Sequence, residues 1–185
     1  MPEMEFSVSR RIRIVPINAI PADFVLRLAL CLEERFLYTI DVARALVVPQ
    51  SSVNSARKQM FVSTLTSKVA RAHPDEEGLI LAITDFDLYK TSHRFLFGDA
   101  DEQQRLAVVS LHRLRCEFYG EDVDANVVFQ RALKESVHEL GHALGLKHCY
   151  NARCAMHYSN SVFETDNKMS HFCDACDKRS RARNV

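Results

Sequence analysis

Residues 138–148 read HELGHALGLKH. His138 and His142 stand at the spacing that places two side chains on one helix face, one turn above the other. Two imidazoles so placed can share one zinc ion, each at about 2.0 Å, so the spacing commits this segment to a helix. Glu139 follows the first histidine. It cannot comfortably join the pair as a ligand, but it can reach a water bound to the metal, which is the place of a general base. His148 can add a third nitrogen only if the chain turns back after the helix, and Gly145 permits the left-handed φ that such an exit requires. Three protein ligands leave a fourth position open to water, the catalytic rather than the structural arrangement. At this chain's residue frequencies a chance match to the whole pattern occurs roughly 2 times in 100,000. That outweighs the bland reading of an amphipathic helix with solvent-facing histidines.

Cys149, Cys154, Cys173 and Cys176 crowd into the next stretch, whereas Cys31 and Cys116 stand apart. Cys173-x-x-Cys176 is a tight knuckle through which two thiolates grip one metal, and Cys149 with Cys154 can provide the other pair. Four thiolates at about 2.3 Å close a tetrahedron, which makes a structural zinc site. A set of three cysteines and one histidine, using His157 or His171, fits the same segment. In a reducing compartment such a cluster reads as a metal site rather than as disulfides. Cys31 and Cys116 read as small buried residues. His73, His93 and His112 have no partners at ligand spacing.

Composition narrows the classes. Lys plus Arg and Asp plus Glu are 24 each, which argues against a general nucleic-acid binder, and 47% hydrophobic residues argue against disorder. No apolar run reaches the roughly 18 residues of a membrane span, and no apolar signal core opens the chain. The expected compartment is the cytoplasm, with no nucleic-acid or membrane partner. Oligomeric state is not legible. The 185 residues suit one catalytic domain. It divides into a sheet and helix part over 1–145 that ends in the active-site helix, and a small lobe over 146–185.

Periodicity supplies the elements. Alternation over 10–17 suggests a strand, and helical spacing of Phe24, Val25, Leu28, Ala29, Leu32, Phe36 and Leu37 a helix beginning near Pro21. A strand over 41–48 and a helix capped by Asn54 and running to about Arg71 follow. GLILAIT at 78–84 reads as a buried strand, with Asp85, Asp87 and Lys90 in its exit loop. A short strand follows at 94–98 and a longer one at 105–114. The segment 126–144 is the last helix, with Phe129, Leu133, Val137, Leu140 and Leu144 as its buried stripe. The order β-α-β-α-β-β-β gives a mixed sheet with packed helices. Beyond Gly145 no period is evident, and the basic end, 178–185, reads as a frayed tail.

HELGHALGLKH is similar to the long zinc signature of the metzincin metallopeptidases. With CYNARCAM and FCDAC after it, the chain resembles one branch, the archaemetzincins. ITDFDLY, FLFGDAD and VVSLHRL resemble that family's strand-loop-strand segment ahead of the zinc helix. The resemblance implies an α+β, metzincin-like fold: a mixed twisted sheet, packed helices including the zinc-binding one, and a small zinc-stabilised C-terminal lobe. It implies a zinc-dependent peptidase acting on a peptide or protein substrate in a cleft between the two parts, with two zinc ions per chain. His138, His142 and His148 would bind the catalytic ion, Glu139 would be the base, and Met156 would form the Met-turn beneath the metal. Cys149, Cys154, Cys173 and Cys176 would hold the second ion. MHY at 156–158 is similar to the astacin Met-turn, which makes Tyr158 a candidate for stabilising the transition state. The substrate is expected to lie extended along a sheet edge, with RFLFGD at 94–99 as the candidate. A zinc-stabilised module that holds peptides without cutting them is the alternative.

Overall fold

The computed structural model describes residues 10–182. Strands β1 (Arg11–Pro16), β2 (Thr39–Val42), β4 (Leu79–Thr84) and β8 (Leu106–Ser110) run parallel, and β7 (Gly98–Asp101) closes one side antiparallel to β8, in the order β2-β1-β4-β8-β7. Helix α1 (Ala22–Phe36) links β1 to β2, and α2 (Val62–Ala72) lies on the path from β2 to β4. The two helices cover opposite faces. Leu79, Leu81 and Ile83 of β4 pack with Val25, Leu28 and Leu32 of α1, while Ile80 and Ala82 pack with Val62, Leu65 and Val69 of α2. This is the period-2 side-chain alternation of a strand buried on both faces, which explains why GLILAIT is continuously apolar. Helix α3 (Ala125–Ala143) shares the α1 face and packs against β7 and β8. All five residues of its expected stripe are buried.

A second, three-stranded sheet, β3 (Met60–Phe61), β5 (Leu88–Lys90) and β6 (His93–Leu96), stands beside the first. It corrects several expectations. The helix expected from Asn54 starts only at Val62. Asn54 instead accepts the backbone N–H of Arg57 through Oδ1 at 3.1 Å, capping a turn, and Met60 pairs with Leu88. The stretch expected as a strand over 41–48 pairs continuously with β1 only from Thr39 to Val42, and beyond it Leu46 makes an isolated parallel bridge to Ile17. The single strand expected at 94–98 is two, β6 and β7, belonging to different sheets, and the one over 105–114 leaves the sheet after Ser110 into a 3-10 turn at His112–Leu114. The edge expected at 94–99 is thus divided between two sheets, and Gly98 to Asp101 form the outer strand of the five-stranded one.

The C-terminal segment carries two helices, α4 (Val162–Asn167) and α5 (Asp174–Ala182). Helix α4 opens on a capping box of Ser161 and Glu164. A nearly buried Arg131 on α3 grips Asp166 with two bonds of 2.8 and 2.7 Å, which ties α4 to α3. Residues 178–182 of the basic end continue α5, and 183–185 lie outside the described residues. Among the described residues no helix is long and apolar enough to cross a membrane.

Candidate metal centres and catalytic cleft

Helix α3 starts at Asp124, whose carboxylate accepts the N–H groups of Asn126 and Val127 at 2.9 and 3.0 Å. It ends in a Schellman turn. Gly145 N–H donates to the His142 carbonyl at 2.7 Å and Leu146 N–H to the Gly141 carbonyl at 2.9 Å, with Gly145 at φ 82°. The reversal expected from Gly145 has a further effect. It brings the Leu146 carbonyl to 2.8 Å from His142 Nδ1. His138 Nδ1 meets the Ala155 carbonyl at 2.7 Å. A carbonyl can only accept, so each Nδ1 carries the proton and each Nε2 keeps its lone pair for a metal. The two Nε2 atoms lie 3.1 Å apart. Ligands at 2.0–2.1 Å in a tetrahedron stand about 3.3 Å apart, so the spacing suits zinc. His148 returns to the same point, its ring centroid 5.4 Å from His138 and 4.7 Å from His142. One nitrogen from each histidine falls within a common 4.8 Å. Burial lowers the pKa of all three imidazoles, most strongly that of His138, so they are neutral near pH 7 as ligands must be.

Glu139 is buried and lines the same cleft. Burial raises its carboxyl well above the usual range, and Glu135 and Asp99 push in the same direction. Tyr158 lines the cleft beside His148 at 4.8 Å between ring centroids. Met156 is fully buried with its sulfur against Gly141 of α3, and its carbonyl accepts the N–H of Cys149 at 2.9 Å. The cleft has a volume of about 390 Å³ and runs between β7, the β5–β6 hairpin and the C-terminal part of α3.

The four clustered cysteines converge at a second point, their sulfurs all within 4.8 Å. Cys149 and Cys173 Sγ are 3.9 Å apart, close to the roughly 3.8 Å of tetrahedral thiolates at 2.3 Å. Against the effect of its burial, the Cys176 backbone N–H and the neighbouring thiols pull the Cys173 thiol down to about 7. His157 and His171 belong to neither cluster among the described residues. His157 Nδ1 contacts the Cys149 carbonyl at 3.0 Å, and the His171 carbonyl accepts the N–H of Ala155 at 3.0 Å. Cys116 is buried and Cys31 half-buried, both away from the two clusters.

The part that Gly98 plays at the site was not evident from the sequence. Gly98, on β7, leaves room for Glu139. A Cβ there would stand 2.6 Å from Glu139 Cγ, 2.7 Å from Oε1, and 2.7 Å from the Val108 carbonyl. Its only sequence signal is a glycine inside an otherwise strand-forming stretch, which marks a close approach. Gly98→Ala is expected to push the Glu139 carboxylate out of place. Turnover should fall about 100-fold, the scale of losing a well-placed general base, while zinc content holds. A metal count beside a peptidase assay checks this, and full activity in the variant would show that the carboxylate tolerates the shift.

Both donor sets fit zinc, with one open position at the histidines and none at the cysteines. The profile of peptidase family M54 matches residues 18–181. The archaemetzincin of Pyrococcus furiosus is 36% identical over 176 residues, covering 92% of each chain. That of Thermococcus kodakarensis is 50% identical over 99 residues, 54% of this chain and 53% of that one. Among solved structures, the archaemetzincin of Methanopyrus kandleri matches with a TM-score of 0.81 at 29% identity, over 94% of both chains.

Proposed function

Since the chain belongs to peptidase family M54, the archaemetzincins, and is a zinc metallopeptidase, we propose that His138, His142 and His148 hold its catalytic zinc and that Glu139 is its general base. Cys149, Cys154, Cys173 and Cys176 hold the second, structural ion. The observation that carries this reading is the convergence of three neutral imidazoles beside one buried carboxylate on a cleft wall. Zinc bound there supplies Lewis acidity, bringing the pKa of a bound water to about 7 and polarising the scissile carbonyl. Glu139 takes a proton from the attacking water and delivers it to the leaving amine. Its raised affinity for a proton, caused first by burial, suits both halves of that transfer. Tyr158 donates its hydroxyl proton toward the oxyanion that develops on the carbonyl. The substrate lies extended along β7, whose outer side is unpaired within the five-stranded sheet, so strand addition fixes its register.

The substrate is a peptide or protein. The domain divides at 145/146, where the Schellman turn ends α3. The thiolate cluster supports a reducing compartment, the cytoplasm, and the balanced charge supports the absence of a nucleic-acid partner. No observation favours a module that only holds peptides. The test is digestion of a peptide library by zinc-loaded protein. Cleavage that disappears with the metal supports the reading, and intact peptides at full zinc occupancy would refute it.

The two ions should also differ in lability. Three neutral imidazoles with an open face bind less tightly than four thiolates that close the tetrahedron. Titration with a mild chelator is expected to remove the histidine-bound zinc first and to leave a folded, inactive chain with one zinc. Loss of the cysteine-bound ion first, read by metal count, would reverse the assignment.

A further inference from the structure

The mechanism leaves unused a charged pair behind the cleft. Glu135 lies one turn before Glu139 on α3 and lines the cleft. Its Oε1 accepts the Thr165 hydroxyl at 2.7 Å and pairs with Lys168 Nζ at 3.0 Å. The Lys168 side chain is 0% exposed and that of Glu135 4%. Lys168 follows α4 directly, so its ammonium reaches the inner face of α3 from the C-terminal segment. Buried ion pairs contribute little to stability, because an apolar pair of the same volume commonly does as well or better. The arrangement therefore points to something Glu135 does in the cleft.

Both partners meet the same oxygen, Oε1. We propose that the other oxygen, Oε2, anchors the substrate by accepting a backbone N–H of an internal stretch of extended peptide, with Thr165 and Lys168 as the residues that position it. This rests on the metallopeptidase reading and adds a substrate class to it: chain continuing on both sides of the cut rather than a free amino terminus. The charges of the cleft carry that distinction. Glu135 is matched by Lys168, Asp99 by Lys90 at 2.7 Å, and Glu102 by Lys147 at 3.4 Å. Apart from Glu139, each carboxylate lining the cleft has a lysine partner. An α-ammonium group needs an uncompensated negative charge, whereas an amide N–H needs only an acceptor, which a charge-matched carboxylate still provides.

The test is binding of a random dodecapeptide library, synthesised once N-acetylated and once with free amino termini, to zinc-loaded Glu139→Ala protein, so that bound peptide is not cut. The acetylated and free forms should bind equally well. In the double variant Glu135→Gln with Lys168→Met, made on the same background, no buried charge is left unpaired. The Thr165 hydroxyl then claims the amide oxygen and turns the amide nitrogen, a donor, toward the cleft. Peptide Kd should rise about 10- to 100-fold, the scale of losing a hydrogen bond to a charged group, with both zinc ions and the melting temperature kept. With Glu139 intact, the same double change should raise KM and leave kcat nearly unchanged. Unaltered Kd and KM in the folded double variant would reduce the pair to packing and overturn the proposal, as would a tenfold preference for free amino termini or retention of no peptide at all. Should the double variant not fold, Thr165→Val still removes one positioning bond and is expected to raise KM alone, and an unchanged KM there is equally fatal. Glu135-dependent binding by a wild-type protein that cuts nothing would remove the peptidase reading and leave this one standing.

Discussion

Replacing Glu139 with alanine is expected to lower turnover by about 10²- to 10⁴-fold while both zinc ions stay bound, because the carboxylate serves the proton and not the metal. The geometry separates the two duties. The three imidazole nitrogens converge within 4.8 Å, and the Glu139 carboxylate stands apart from them against Gly98. Glu139 lines the cleft rather than the closed core, so the fold and the melting temperature should hold without it. Glu139→Gln should lose activity to the same extent, since an amide has the shape but cannot take up the proton. A metal count, a thermal melt and a digest made on one preparation decide the matter. Zinc falling in step with activity would make Glu139 a ligand.

Changing Cys173 and Cys176 together to serine is expected to empty the cysteine site, loosen the C-terminal lobe and weaken zinc at the histidines at least tenfold. Structural zinc contributes apparent binding energies of about 10–16 kcal/mol, comparable with the stability of a whole domain. The lobe has little else at its centre, a small cluster of Leu146, Cys154, Met156 and Cys176 with Phe172 beside it. The damage passes to the catalytic site along bonds already described. Cys149 follows His148 directly, and the Cys149 N–H is held by the Met156 carbonyl. The Ala155 carbonyl orients His138, and Ala155 is itself held by the His171 carbonyl, two residues before Cys173. Loss of such supporting bonds typically costs 10- to 100-fold in metal affinity. Hydrogen exchange should become fast over 147–160 and 169–182. Strands β4 and β8 should stay slow, since α1, α2 and α3 supply most of their two cores and the lobe adds only Ala155 and Val162, with Phe172 packed against them. Helix α4 should be the most protected part of the lobe, because the Arg131–Asp166 pair does not depend on the metal. A double variant with an ordered lobe and unchanged zinc affinity at the histidines would break the proposed linkage.

What could be read from the chain is what short-range geometry dictates. The i, i+4 pair His138 and His142, the reversal at Gly145 and the Cys173–Cys176 knuckle depend on backbone periods that hold whatever the rest of the chain does. The buried strand 79–84 and the stripe of α3 were legible for the same reason. Of the edge strand β7 only Gly98 and Asp99 were legible, within RFLFGD. GDAD carries no apolar pattern, and these residues form a strand only because β8 offers its hydrogen bonds from 98 to 101. The start of α2 was misread because Met60 is apolar in either setting, and its pairing with Leu88 outweighs the helical spacing around it.

The identity of the metal-binding atoms thus follows from local spacing, while their readiness and the shape of the cleft depend on partners far along the chain. Ala155, 17 residues after His138, selects the proton position on its ring. Gly98 makes the space that Glu139 occupies, and Lys168 reaches Glu135 from the other side of the third ligand. None of these pairings has a fixed separation in sequence, because each arises where two elements pack side by side. Packing distance is set by the whole core, and periodicity within one segment carries no information about it.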